Sequence, residues 1–269
     1  MEIRSKTVVY RTEDDEISGH LARPANDGKY PAVILIHEIF GLDPHIKGVA
    51  DRLAAEGYVV LAPHLFSSKK LSQILTPEAI GETLRFMMTI PPEKQRDEAY
   101  RKAELAKLDE KTRNGVMGVY TMLFVNRPVD LFTEYLSSGV DYLNSLENVN
   151  GRVGSVGFCF GGGMSINLAC TGKTDASVIF YGENPDPVDK VKNVKGAVMG
   201  IYAGEDQRIN SKINELVSAL VEHKKAFSIK VYPGVHHGFF NDTRKNTYSE
   251  NAATDAWEQV LDLFTEMLW

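Results

Sequence analysis

The hexapeptide Gly157-Phe158-Cys159-Phe160-Gly161-Gly162 constrains this chain more than any other stretch. It follows the apolar alternating run Arg152-Val153-Gly154-Ser155-Val156 and opens the helix-like Gly163-Met164-Ser165-Ile166-Asn167-Leu168-Ala169-Cys170. A strand that turns sharply into a helix, with a nucleophile at the tip and glycines two residues to either side, is a nucleophile elbow. The tip residue is strained, and Gly157 and Gly161 let strand and helix approach without side-chain clashes. Here the tip is cysteine rather than serine. A thiol near a helix N-terminus meets exposed amides and the positive end of the dipole, which favour the thiolate. Taken alone, the pattern is short, and a free cysteine is commonly just a small buried hydrophobe.

The flanking pattern is that of an α/β chain. Lys6 to Tyr10 and Ile17 to Ala22 read as two short strands around the acidic turn Glu13-Asp14-Asp15-Glu16. Pro31 to His37 is a continuous apolar run, the signature of a strand buried on both faces. A helical pattern from Ile46 to Gly57 and a strand from Tyr58 to Ala62 complete a parallel unit. Beyond the elbow, strands are expected at Ala176 to Tyr181, Gly196 to Tyr202 and Phe227 to Tyr232, with helices at Ile209 to Lys224 and Glu250 to Leu268. Val129 to Leu146 is an amphipathic helix before the elbow strand.

Between Ser67 and about Asn126 the pattern changes. Thr76 caps a helix running to Met88 with Pro77 at its first position, and Pro92 to Lys111 reads as a charged, solvated helix. No strand signal stands in this stretch, so a helical insertion over the sheet edge is expected. The 269 residues then form a single domain with an insertion at about 67–126. A net charge of -6 offers no basic footprint for nucleic acid. No run reaches membrane-spanning length, and the N-terminus has no apolar signal core. Cys159 and Cys170 on one helix would lie roughly 16 Å apart, too far to bridge, so both are expected as free thiols in a reducing, cytoplasmic setting.

A cysteine elbow needs a base to take its proton and an acid to orient that base. With an elbow these follow in the order acid, then histidine. Asp206, in Ala203-Gly204-Glu205-Asp206-Gln207, stands directly after a predicted strand. His237, in Tyr232-Pro233-Gly234-Val235-His236-His237-Gly238-Phe239-Phe240, stands after the last one. Each alone reads as a turn aspartate or a loop histidine. Together, in order, at the carboxyl edge of one sheet, they favour the catalytic reading of Cys159.

The set HEIFG (residues 37–41), GFCFGG, AGEDQ and YPGVHHGFF resembles the dienelactone hydrolase family, over nearly the whole chain except the insertion. The resemblance implies an α/β-hydrolase fold: a mostly parallel central sheet flanked by helices, here with a helical cap-like insertion. It implies Cys159 as nucleophile, Asp206 as acid and His237 as base, His237 being chosen over His236 because the family histidine stands two before a phenylalanine, here Phe239. It implies an oxyanion hole from the backbone amides of Ile39 and Phe160. Glu38 matches the family glutamate near the thiol, where a carboxylate disfavours a permanent thiolate and can accept from the neutral thiol. One departure bears on the pocket. The arginine that closely follows the catalytic histidine in dienelactone-cleaving members has no counterpart, since Phe240, Asn241 and Asp242 stand there and Arg244 is the first cation.

The expected activity is hydrolysis of a small-molecule ester or lactone through an acyl-cysteine, with no metal or cofactor. A thioesterase or acyl transferase would use the same triad, and a non-catalytic binding protein would keep the fold without turnover. Apolar side chains of the insertion, Phe86 and Met88 among them, are expected to line the acyl pocket. Widening of the core or a homodimer contact is the alternative role for that segment.

Overall fold

The computed structural model describes residues 1–94 and 97–269; Gln95 and Arg96, inside the charged stretch from Pro92 to Lys111, lie outside the described residues. The described residues divide into two compact units, one formed by Met1–Leu65 with Asp130–Trp269 and the other by Phe66–Val129.

The first unit holds one eight-stranded sheet. Its strands are β1 (Ile3–Arg11), β2 (Glu16–Pro24), β3 (Tyr30–Ile36), β4 (Val59–Pro63), β5 (Val149–Phe158), β6 (Ala176–Phe180), β7 (Ala197–Ala203) and β8 (Phe227–Tyr232). Their order is β1-β2-β4-β3-β5-β6-β7-β8. The pairs β1–β2 and β2–β4 are antiparallel and every later pair is parallel. All residues of β4, β6 and β7 are buried, as are six of the seven of β3, which is why these strands read as unbroken apolar runs rather than alternating ones. The parallel strands send their carboxyl ends to one edge, where ligands of such sheets bind.

Helix α1 (Pro44–Ala55) follows β3; the Asp43 carboxylate caps it by accepting from the Ile46 amide, with Pro44 in the first turn. Gly57, with φ 103°, takes the left-handed turn into β4.

The second unit carries α2 (Pro77–Thr89), α3 (Glu98–Leu105) and α4 (Glu110–Tyr120), with a short π-helical stretch over Thr121–Val125. Thr76 caps α2, its hydroxyl accepting from the Ala79 amide at 3.1 Å. The charged stretch is not one helix. After a 3-10 turn at Pro92–Lys94, Asp97 caps α3 through the Tyr100 amide at 2.9 Å and Asp109 caps α4 through the Thr112 amide at 3.0 Å. An aspartate accepting a backbone N–H competes with helix continuation, so each marks a start rather than one more surface charge.

Back in the first unit, α5 (Val129–Asn144) precedes β5, and α6 (Phe160–Ala169) leaves the elbow. The predicted helix from Ile209 is two, α7 (Gln207–Asn210) and α8 (Ile213–Glu222). The Asn210 side chain donates to the Ala203 carbonyl at 2.8 Å, holding α7 back against the strand it leaves. The closing helix α9 spans Glu250–Leu268, as the periodicity predicts. No described helix is long and apolar enough to cross a membrane.

Candidate active site

Cys159 sits between β5 and α6 with φ 54° and ψ -112°. A left-handed φ costs a non-glycine residue roughly 1–2 kcal/mol, so the surroundings must impose it. They do so by close backbone contact. A Cβ on Gly157 would stand 2.0 Å from the Gly161 carbonyl oxygen, and a Cβ on Gly161 would stand 2.3 Å from that of Ile36. Glycine is needed at both places by clearance. The Cys159 amide donates to the Phe180 carbonyl at 3.0 Å, tying the tip to the end of β6. The thiol itself is half-buried, unlike the buried Cys170, whose pKa burial pushes up to about 12.

The turn after β7 presents Asp206, 9% exposed, which caps α7 by accepting from the Ile209 amide. The loop after β8 presents His237, while His236 beside it is exposed. The two loops are tied together, Gly204 N–H donating to Tyr232 O at 2.8 Å and Glu205 N–H to Val235 O at 3.0 Å. His237 Nδ1 is hydrogen-bonded to Asp206 Oδ2, and Cys159 lies close enough to the same ring to act on its proton affinity. With Nδ1 occupied, Nε2 is left for the sulfur. Burial alone would lower the His237 pKa; the Asp206 bond and, once the sulfur is negative, the Cys159 charge outweigh that and raise it to about 10, which stabilises the imidazolium that has taken up the thiol proton. Burial likewise works to raise the Asp206 pKa, but the His237 bond, the Ile209 amide and the Arg208 charge bring it below the ordinary range. The three residues read from sequence are thus brought together, with His237 rather than His236 bonded to Asp206.

Glu38 is 3% exposed. Its Oε2 accepts from Asn241 Nδ2 at 2.8 Å, and Asn241 Oδ1 accepts from the Thr243 hydroxyl at 2.6 Å and the Thr243 amide at 3.1 Å. A neutral amide therefore holds this buried carboxylate. The first cation beyond the histidine, Arg244, lies 4.3 Å over the Phe40 ring. His37 is fully buried; Nδ1 donates to the Glu38 carbonyl at 2.5 Å and Nε2 accepts from the Leu65 amide at 3.2 Å, which fixes a neutral tautomer. Burial, ahead of a smaller effect from His64, drives its pKa down to about 3. The turn that follows carries Ile39, partly buried, and Phe160 begins α6.

Two site residues escaped the sequence reading. Asn241 stood out there only as the place where an arginine is lacking. Tyr181, one residue past β6, reads simply as the end of a buried strand. It has φ 40°, is 1% exposed, and places its ring 4.8 Å from that of His237. Burial first, then the charges of Glu38 and Cys159, push its pKa well above the ordinary phenol value. Among the described residues no group of three or more His, Cys, Asp or Glu side chains could hold a metal ion.

A sequence model of the dienelactone hydrolase family matches residues 17–268. A Saccharolobus solfataricus protein named as a carboxymethylenebutenolidase is 37% identical over 257 residues, covering 95% of this chain and 96% of that protein. A Synechocystis protein of the same name is 30% identical over 277 residues, covering 98% and 97%. Among solved structures, one titled as a dienelactone hydrolase from Klebsiella pneumoniae superposes with a TM-score of 0.76 at 24% identity, covering 98% of this chain and 99% of that one. The dienelactone hydrolase from Anabaena variabilis superposes with a TM-score of 0.67 at 18% identity over the whole of both chains. The fold is that of the α/β-hydrolases.

Proposed function

The chain belongs to the dienelactone hydrolase family, and from that premise we propose that it hydrolyses a carboxylic ester or lactone through an acyl-cysteine intermediate. The observation that carries the reading is the meeting of Cys159, at the tip of a strained elbow, with the hydrogen-bonded pair His237–Asp206. Cys159 Sγ attacks the substrate carbonyl carbon while His237 Nε2 takes the thiol proton. Asp206 holds His237 by Nδ1 and stabilises the imidazolium that forms. The backbone amides of Ile39 and Phe160 receive the negative oxygen of the tetrahedral intermediate. As the intermediate collapses, the carbon–oxygen bond breaks and His237 gives its proton to the leaving oxygen, freeing an alcohol or, from a lactone, opening the ring. Water, activated by the same histidine, then cleaves the thioester and restores the thiol. Glu38, fixed by Asn241, opposes a permanent negative charge on the sulfur until substrate takes that charge over.

The test is a panel of p-nitrophenyl esters, lactones and thioesters with trapping of the covalent species. The expected result is turnover of oxygen esters or lactones, with an acyl mass adduct on the peptide bearing Cys159. Cys159→Ala should lose both. Turnover that persists in Cys159→Ala, or an adduct on Cys170, overturns the assignment.

A further inference from the structure

Tyr181 combines three features found together nowhere else among the described residues. Its backbone is left-handed at φ 40°, its side chain is 1% exposed, and its hydroxyl has no hydrogen-bond partner. The other left-handed non-glycine residues are Cys159 and Lys224. Cys159 is the elbow tip, and Lys224 lies in the turn between α8 and β8. Other buried tyrosines show what an ordinary core phenol does here. Tyr10 donates to the Tyr135 carbonyl at 3.0 Å. Tyr202 also lacks a partner, but it lies inside β7 on extended backbone and faces Gly200, away from any titrating group the site uses.

The surroundings of Tyr181 are those of the reaction centre. The residue before it accepts the Cys159 amide through its carbonyl, and its own amide donates to Ile201 O at 2.7 Å, so the turn is pinned on both sides. Its ring packs against His237 at 4.8 Å. Glu38 and Cys159 both act electrostatically on the hydroxyl, and the Phe240 amide faces it without meeting hydrogen-bond geometry. Burial keeps this phenol protonated, so its O–H remains available as a donor. A buried donor left unpaired costs stability, and a strained backbone adds to that cost; such groups persist where a ligand completes them. A donor already in place where charge will develop needs no reorganisation during the reaction.

We propose that Tyr181 is a catalytic residue whose hydroxyl donates a hydrogen bond to a substrate oxygen that gains negative charge as Cys159 is acylated. It adds a side-chain donor to the two backbone amides of the hydrolase reading, on which it rests. No bond to the phenol is made or broken, and its proton stays on its own oxygen.

The experiment compares wild type with Tyr181→Phe, which keeps the ring on His237 and removes only the hydroxyl. Acylation is followed as the p-nitrophenol burst from p-nitrophenyl acetate, and thiol reactivity as the iodoacetamide rate at Cys159 between pH 6 and 9. Alkylation displaces iodide at carbon and creates no negative substrate oxygen, so it does not call on the donor. The expected result is acylation slowed by about 10²-fold, the scale on which single transition-state donors act, with alkylation within about two-fold of wild type. Unimpaired acylation in Tyr181→Phe overturns the assignment. So does an equal slowing of both reactions, which would mean that the phenol works through the thiol or His237. A wild-type protein that alkylates normally but shows no burst overturns the hydrolase reading itself, a failure distinct from the other two.

Discussion

The sheet unit and the helical unit bury apolar side chains by different means. In the sheet unit β4, β6 and β7 are buried along their whole length, and the elbow closes with backbone against backbone, so a Cβ on Gly157 would fall 2.0 Å from Gly161 O. In the helical unit α3 buries no residue; Phe86, Ile90 and Val116 form one cluster with Tyr100, Leu105 and Leu108 packed beside them, and Leu71, Leu75, Ile80, Val119 and Leu123 are buried as well. Large apolar side chains stay exposed there: Met88 at 82%, Val125 at 60% and Met117 at 50%. The elbow of the sheet unit is limited by backbone clearance, whereas the helical unit is held by side-chain contacts. Substitutions should therefore fail abruptly in one and gradually in the other.

The sharpest break should come at the elbow. Gly157→Ala cannot be relieved by a rotamer change, since the obstacle is backbone. We expect a loss above about 4 kcal/mol, beyond the usual range for single substitutions, seen as insoluble protein or a collapsed thermal transition. A soluble Gly157→Ala protein with native melting would show that the elbow has room to move. Next in size are the loop histidines. His237→Ala should lower kcat by roughly 10³-fold or more, as loss of a triad base does, while exposed His236→Ala stays within about three-fold. The reverse ranking would place the base one residue earlier.

How far each unit could be read from sequence follows the same division. Strands buried on both faces leave unbroken apolar runs, so β3, β6 and β7 emerge within a residue or two of their predicted bounds, while the edge strand β8 emerges from its alternation. Cys159, Asp206 and His237 are legible because each ends a strand and their chain order is fixed by the topology. Asn241 is not, since its partner Glu38 lies 203 residues away and nothing local marks it. Tyr181 is not, because a left-handed φ at a tyrosine has no compositional sign. In the helical unit Asp97 and Asp109 fall within a stretch that reads as one charged helix, and their capping role breaks it. The sequence pattern places both Phe86 and Met88 in an acyl pocket as an expectation. Phe86 belongs to the helical unit's own core at 6% exposure, whereas Met88 is solvent-facing.

Phe86→Ala turns that placement into a measurement. Truncating a buried phenylalanine costs about 3–5 kcal/mol. The expected outcome is earlier proteolytic cleavage within residues 66–129, with the sheet unit still protected. An altered preference for ester chain length at unchanged protease resistance would instead restore the pocket-lining role.

The smallest effect separates the units by pH. All seven histidines, His20, His37, His45, His64, His223, His236 and His237, lie in the sheet unit, as do both tryptophans, Trp257 and Trp269. His37 is fully buried with Nε2 accepting from Leu65, so a second ring proton would point at an N–H. Its folded pKa, about 3, lies below the ordinary 6.5. Between those values the unfolded chain binds a proton that the folded one refuses, so stability falls as pH falls, by at most about 1.4 kcal/mol per pH unit. His237 acts in the opposite sense. Its raised pKa gives stability that is fully present below 6.5 and is lost only as pH rises towards about 10, so it leaves the acid slope alone. In the helical unit the depressed pKa values are those of exposed caps: Asp97, held mainly by the Tyr100 amide, and Asp109, held by Thr112. Their contribution is present above the ordinary carboxylate value and fades only below it. Urea unfolding followed by tryptophan fluorescence should therefore lose midpoint steadily from pH 6.5 to 5, while protease resistance within 66–129 stays constant. His37→Gln can still donate to the Glu38 carbonyl and accept from Leu65 without titrating, and it should flatten the slope. An equal slope in His37→Gln would move the acid sensitivity to another group, with His64, whose pKa burial also lowers, as the next to replace.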